Sequence, residues 1–245
     1  TKKGKAGQKA RINYSGLVLD QPLEKYRYVD GTWYSGPNNA YGAYNGYMTM
    51  PEAISWSSNA ATVQLLSEVG TQTAYNQAVN LMGFTHLDPQ ADANSIGALS
   101  LGGIQGGVTV REMAAAMAYV GNGGLFYEPY TYYYVTDANG TVILDNRNNT
   151  PNEAYSPEVA YEMNRALRYN VLTSTHSHSM NANVPNWEIV GKTGTTDDDK
   201  DSWFVGASPY CTLAVWTGYD VPSRVPVTSP ATTMWRTVMG NYLED

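Results

Sequence analysis

A single cysteine, Cys211, in 245 residues leaves no partner for an intrachain disulfide and no thiol set for zinc. Three scattered histidines build no metal site either. Chemistry without metal or other cofactor is therefore the expectation. Basic residues are also scarce, 15 Lys and Arg against 22 Asp and Glu for a net charge of −7. With no basic stripe to neutralise phosphates, nucleic acid is not an expected partner. No run of about 18 apolar residues exists, and the opening Thr1-Lys2-Lys3-Gly4-Lys5 lacks the apolar stretch of a signal peptide. Any export signal or membrane anchor is expected outside these residues. Phenylalanine is rare, 3 residues against 20 tyrosines, many of them in Gly- and Asn-rich stretches such as Trp33 to Tyr47. Such a stretch reads as an irregular surface lobe pinned by amphipathic rings, or as a saccharide- or peptide-contacting surface.

The length and the 42% hydrophobic content suffice for one large domain. The first 47 residues show no sustained period, and residues 1–16 read as a cut end or loop, with the domain proper over 17–245. A helix is predicted from Thr49, where Thr49 and Glu52 form a capping box with Pro51 in the first turn, through Ile54, Trp56, Ala60, Val63 and Leu66 to Gly70. A shorter one runs from Thr73 to Met82 and stops at Gly83. After a glycine-rich loop, Leu101 to Gly107, Thr109 and Glu112 cap a third helix that closes at Gly121-Asn122-Gly123-Gly124. Two strands, 131–135 and 141–144, meet at the hairpin signal Asn139-Gly140. A helix over 157–171 precedes three strands, 187–195, 202–208 and 211–219, whose connections are too short for helical crossovers, so they must be antiparallel. A last helix, 230–243, covers one face of that sheet. The expected class is α+β, an α/β sandwich in which helices cover an antiparallel sheet.

Against this frame, Gly191-Lys192-Thr193-Gly194-Thr195-Thr196 stands on a strand and not at the mouth of a helix. A phosphate-binding P-loop needs a glycine five residues before Gly191, and Asn186 stands there. An acidic turn, Asp197 to Asp201, follows instead of a helix; it lacks the glycine and distal glutamate of a calcium loop. What remains is a K-T-G strand. Lys192 offers a fixed ammonium, Thr193 and Thr195 project to one face, and Gly194 leaves room for a peptide backbone laid along the edge. Ser57-Ser58-Asn59 supplies a hydroxyl able to pass a proton and an amide able to hold a carbonyl. S-x-N is common by chance, but its place roughly 130 residues before a K-T-G strengthens it.

These two motifs, with Lys200-Asp201-Ser202-Trp203-Phe204-Val205-Gly206 and Ala214-Val215-Trp216-Thr217-Gly218-Tyr219-Asp220, resemble the transpeptidase domain of penicillin-binding proteins, most closely its class A, bifunctional branch. The resemblance spans about residues 17 to 220 and implies the penicillin-binding protein and serine β-lactamase fold. It implies D,D-transpeptidation of a peptidoglycan stem peptide through a serine acyl-enzyme, inhibited by β-lactams, at the extracytoplasmic face of the bacterial plasma membrane. Ser57, Asn59 and Lys192 would be catalytic; Thr193, Gly194, Thr195 and Thr196 would bind substrate, with the Thr195 N–H as one oxyanion donor. A serine β-lactamase or D,D-carboxypeptidase of the same fold, and a non-catalytic penicillin-sensing or scaffold domain, are the alternatives.

The family's nucleophile motif, S-x-x-K, is absent. Three places before Lys5, Lys9, Lys25, Lys192 and Lys200 stand Lys2, Ala6, Pro22, Ile189 and Asp197. Three explanations stand: the serine lies on a separate or missing fragment, the N-terminal residues are altered around Ala6-Gly7-Gln8-Lys9, or the protein is an inactive homologue. In each, this chain alone forms no acyl-enzyme. The segment before K-T-G, Thr173 to Ser179, also lacks the glycine the family has there; its His176 and His178 read as part of a solvated, flexible loop.

Overall fold

The computed structural model describes residues 13–226 and 230–244. Most of the basic opening stretch read as a cut end thus lies outside the described residues. Where the sequence shows no sustained period, the chain forms four strands: β1 (Leu17–Asp20), β2 (Leu23–Val29), β3 (Thr32–Gly36) and β4 (Gly46–Thr49). β1 pairs with β4, and β2 with β3, both antiparallel. The β2–β3 hairpin carries exposed Tyr28, Trp33 and Tyr34, so its strands lack the alternation that a half-buried sheet imposes.

The helix predicted from Thr49 to Gly70 is two helices, α1 (Met50–Ser55) and α2 (Asn59–Val69), broken at the S-x-N motif. The capping box of Thr49 and Glu52 is formed as read. α3 (Thr71–Met82) ends at Gly83 in the left-handed conformation, as predicted. A short helix, α4 (Ile96–Leu101), precedes the glycine-rich loop; only its cap, Ser95, marks it in sequence.

α5 (Val110–Met117) starts at the second capping box. Glu112 does more there than cap: one carboxylate oxygen accepts from Thr109 N–H (2.7 Å) and Oγ1 (2.9 Å), the other from Thr85 N–H and Oγ1 (both 2.8 Å). Burial alone would raise its pKa, but these donors to the charged form win and hold it at about 2. The carboxylate therefore adds stability above the ordinary glutamate value, and that stability is lost as pH falls from 4.5 towards 2. Glu112→Gln is expected to lower the unfolding free energy by about 2 kcal/mol at pH 7 and by much less at pH 2; urea titrations at the two pH values check it.

β5 (Leu125–Phe126) later pairs with β8 (Asn152–Glu153), and the β6 (Tyr134–Thr136) to β7 (Val142–Asp145) hairpin lies between them. Then come α6 (Pro157–Leu172), β9 (Val190–Thr195), β10 (Ser202–Ala207), β11 (Thr212–Thr217) and α7 (Pro230–Glu244). The last three strands form one antiparallel sheet in the order β11-β10-β9, with Thr193 opposite Phe204 and Lys192 opposite Val205. On one face Phe204, Ile189, Ala231, Trp235 and Met239 make the largest apolar cluster, with α7 as its lid. Phe204 and Trp235 meet edge to face at 5.0 Å, and burying each contributes roughly 2–3 kcal/mol. The other face packs Val190 and Ala207 against Val120 and Leu167, beyond α5 and on α6. Both faces are covered, and β9 is left at the sheet edge.

Candidate active site

The helix break between α1 and α2 is where the first motif sits. Ser57 has φ +52°, left-handed backbone that a non-glycine residue adopts only where its surroundings hold it. What holds it is the next residue. The buried Ser58 Oγ accepts from Ala61 N–H as the N-cap of α2 and donates to the buried Asp20 carboxylate at 2.7 Å. Asp20 also accepts from Asn39 Nδ2 (2.7 Å), Tyr41 OH (2.7 Å) and Asn45 N–H (2.8 Å). Asn39 in turn accepts the Ala60 N–H, a second orphan donor of α2. Asn59 Nδ2 donates to the Asn38 carbonyl at 2.9 Å. The result places an exposed Ser57 hydroxyl on a turn locked from below.

Opposite it lies β9. Gly191 is there because a Cβ at this position would stand 2.5 Å from the Phe204 ring. From the next residue, the Lys192 ammonium reaches across to Ser57 Oγ at 2.9 Å and donates to the Thr193 carbonyl at 2.9 Å, with Thr193 Oγ1 at 3.4 Å. Desolvation penalises the charged form and lowers its pKa to about 8. S-x-N and K-T-G, 135 positions apart, are thus one hydrogen-bonded unit.

A cleft of about 1050 Å³ opens beside that unit, lined by Ser57 and Asn59 on one wall and by Thr193, Thr195 and Thr196 on the other. Gly194 contributes backbone only; a Cβ there would come 3.3 Å from Trp203 Cβ, on the inner face of the strand. Thr193 N–H leaves the ladder on the outer side, where Ser179 Oγ accepts it at 3.2 Å. Alternation along an antiparallel strand sends the Thr195 N–H out on that same side, into the cleft. Beyond it, Thr196 Oγ1 donates to Asp201 and Trp216 Nε1 donates to the other Asp201 oxygen at 2.7 Å, so the acidic segment is a fastened turn between strands. Among the described residues no cluster of His, Cys, Asp and Glu is placed to hold a metal ion.

The segment 173–179 is solvated only in part: Thr173, Thr175, His176 and His178 are exposed, as its composition suggests, and its serines are not. Ser174, Ser177 and Ser179 are buried; Ser174 bonds the buried Ser55, and the His176 ring stacks on Trp56 at 4.2 Å with 16° between planes. The three serines turn inward because the segment threads between α1, α6 and β9, which a run of five short hydroxyl side chains and two histidines does not announce. Asn170 and Ser179 are the residues sequence reasoning passed over. The one signal was a polar residue, Asn170, on the inward stripe of a helix that otherwise buries Ala166, Leu167 and Val171.

Comparison with known proteins bears on the family and the fold. The family model described as the penicillin binding protein transpeptidase domain matches residues 20–225. Penicillin-binding protein 1A of Clostridium acetobutylicum is 38% identical over 221 residues, 87% of this chain and 26% of the relative. The same protein of Clostridium botulinum is 35% identical over 88% of this chain and 25% of its own length. The chain spans about a quarter of the curated relatives it matches. Among solved structures, the penicillin-binding protein PonA1 of Mycobacterium tuberculosis superposes with a TM-score of 0.73 over 95% of this chain and 64% of its own, at 24% identity. Penicillin-binding protein 1A of Haemophilus influenzae gives 0.73 over 96% and 40%, at 22% identity. Those two likenesses are of fold, and they agree with the helix-covered antiparallel sheet described above. With the family model covering most of its length and S-x-N joined to K-T-G through one lysine, the chain belongs to the penicillin-binding protein transpeptidase domain family.

Proposed function

We propose that this chain supplies two walls of a peptidoglycan D,D-transpeptidase site, completed by a serine and lysine on a segment outside these 245 residues. The observation that carries the reading is the Lys192 ammonium bridging Ser57 and Thr193 at the cleft edge. The domain proper is residues 17–245 on this reading. The substrate is the D-Ala-D-Ala end of a stem peptide, laid along β9 as an added strand. Lys192, Thr193 and Thr195 face its terminal carboxylate; Thr196 flanks them. Asn59 orients the peptide, and Gly194 keeps the strand slim beneath it.

The reaction follows in two steps. The serine oxygen attacks the penultimate D-alanine carbonyl, giving up its proton to the lysine of the same outside segment, and the Thr195 N–H stabilises the oxyanion, a contribution of about 10²–10³ in rate. As the C–N bond breaks, a proton passes through Ser57 and Lys192 to the leaving D-alanine amine. An amine of a neighbouring stem peptide then attacks the acyl-enzyme, and its displaced proton returns by that route while the serine leaves. A pKa near 8 suits Lys192 to this, since the cost of releasing its proton near neutral pH is small. A β-lactam, carrying a carboxylate and a strained amide, acylates the same serine and blocks the second step. Membrane attachment comes from an anchor elsewhere in the protein, which holds the domain at the extracytoplasmic face; among the described residues no helix is long and apolar enough to cross a membrane.

Labelled penicillin tests this on the full-length parent protein and on this chain separately. Covalent labelling is expected on the parent alone, with the labelled serine outside the present sequence. Labelling of neither would leave a scaffold or sensing domain, and rapid hydrolysis of the penicillin by the parent would make it a β-lactamase.

A further inference from the structure

Edge strands expose one row of backbone donors and acceptors, and β9 needs that row for a peptide. Only part of it is open. At Gly191 the outward carbonyl accepts from Asn170 Nδ2 at 2.7 Å. At Thr193 the outward N–H donates to Ser179 Oγ at 3.2 Å, and the carbonyl accepts from Lys192 Nζ at 2.9 Å. Asn170 ties the two caps together, since its Nδ2 also donates to Ser179 Oγ at 2.9 Å. Both side chains are fully buried.

The amide orientation is fixed by its neighbours. Turning Asn170 over would set its oxygen against the Gly191 carbonyl oxygen, so Nδ2 must face β9. The consequence is that Asn170 Oδ1 is buried with no hydrogen-bond partner among the described residues.

We infer that Asn170 and Ser179 are positioning residues that seal the outer edge of β9 through Thr193, so that an added peptide strand starts at Thr195 and takes a single register. They touch no substrate. They stand where a neighbouring strand would stand, and they hold Thr193 and Thr195 at a set depth in the cleft. The register claim rests on the reading of β9 as a peptide-binding edge; the sealed edge does not.

Amide hydrogen exchange on this chain tests the seal without any acylation. Thr193 N–H is expected to be protected although it lies outside the ladder, and Thr195 N–H to exchange fast. Ser179→Ala should speed exchange at Thr193 by roughly tenfold or more, while Lys192 and Gly194, which bond inward to β10, change little. Ser179→Thr keeps an acceptor and should restore protection. Should Ser179→Ala not fold, Ser179→Cys, with a weak acceptor, takes its place. Unchanged exchange at Thr193, or equal loss at Lys192 and Gly194, overturns the seal and leaves plain packing.

For the register, the second-order rate of penicillin acylation in the full-length parent should fall roughly tenfold with Ser179→Ala and recover with Ser179→Thr. A wild-type parent that takes no label sinks the transpeptidase reading and the register together, with the exchange result standing by itself. A labelled wild type with an equally fast Ser179→Ala sinks the register alone.

Discussion

Asp20→Ala is expected to lower the unfolding free energy of this chain by about 4 kcal/mol, enough to unfold a marginal domain at physiological temperature. The carboxylate is fully buried, and four donors converge on it from Asn39, Tyr41, Asn45 and Ser58. Removing the acceptor strips a bond from four donors: the buried Ser58 hydroxyl and Asn39 amide, the latter keeping its bond to the Ala43 carbonyl, lose most, at about 1–3 kcal/mol each, while the half-buried Tyr41 hydroxyl and the exposed Asn45 N–H recover part of theirs from water. Asp20→Asn should rescue little, because its NH₂ would face two donors.

The pH profile carries the same signature with a known sign. Burial raises the Asp20 pKa, but the bonds from Tyr41, Asn45, Asn39 and Ser58 outweigh it and bring it below 3.8. Its stabilisation is therefore complete above the ordinary aspartate value and is lost as pH falls below it. At the other end, burial and the bond to Asp20 push Tyr41 up to about 12. Between pH 10 and 12 the unfolded phenol ionises while the folded one stays neutral, so stability falls again as pH rises. Urea unfolding across these ranges, wild type against Asp20→Ala, measures both limbs; flat limbs in the wild type would refute the assignment. Ser58→Ala removes one spoke and a helix cap and is expected to cost about 1 kcal/mol.

That hub also explains what could and could not be read from the amino-acid order. Thr109 with Glu112, Gly83 after Met82, and the short links among β9, β10 and β11 are local signals, and each produced the element it predicts. The break at Ser57 has no local signal. Apolar residues run on at helical spacing from Ala53 to Leu66, and what interrupts them is a carboxylate 38 residues away drawing Ser58 out of line. The first strands escaped for a related reason: β2 and β3 expose most of both faces, so no alternation marks them. Ser57, Asn59, Lys192, Thr193 and Thr195, expected together from their motifs, do meet at one cleft and its edge. Ser179 was not legible, since its role depends on Asn170 and on the outer edge of β9, a meeting of three elements that only tertiary structure creates.

Lys192→Met in the full-length parent should reduce the second-order rate of penicillin acylation by about 10³, combining loss of the proton route with loss of the charge that meets the carboxylate. Stability is expected to move the other way. The folded pKa of about 8 lies below the ordinary lysine value of 10.5, so burying the charged form opposes folding at neutral pH, and that opposition is relieved as pH rises from about 8 to 10.5. An apolar side chain of similar length removes the opposition altogether, as replacements of buried charges often do. The wild-type chain should therefore gain stability across that pH window and Lys192→Met should not. Lys192→Arg restores the charge but not the chemistry, because a guanidinium neither fits the gap to Ser57 nor gives up a proton. Acylation that survives Lys192→Met, or falls only as far as the thermal midpoint falls, would make this lysine a structural tie between S-x-N and K-T-G and remove it from the proton route. A large kinetic loss in a variant at least as stable as the wild type is the outcome that a tie alone does not produce.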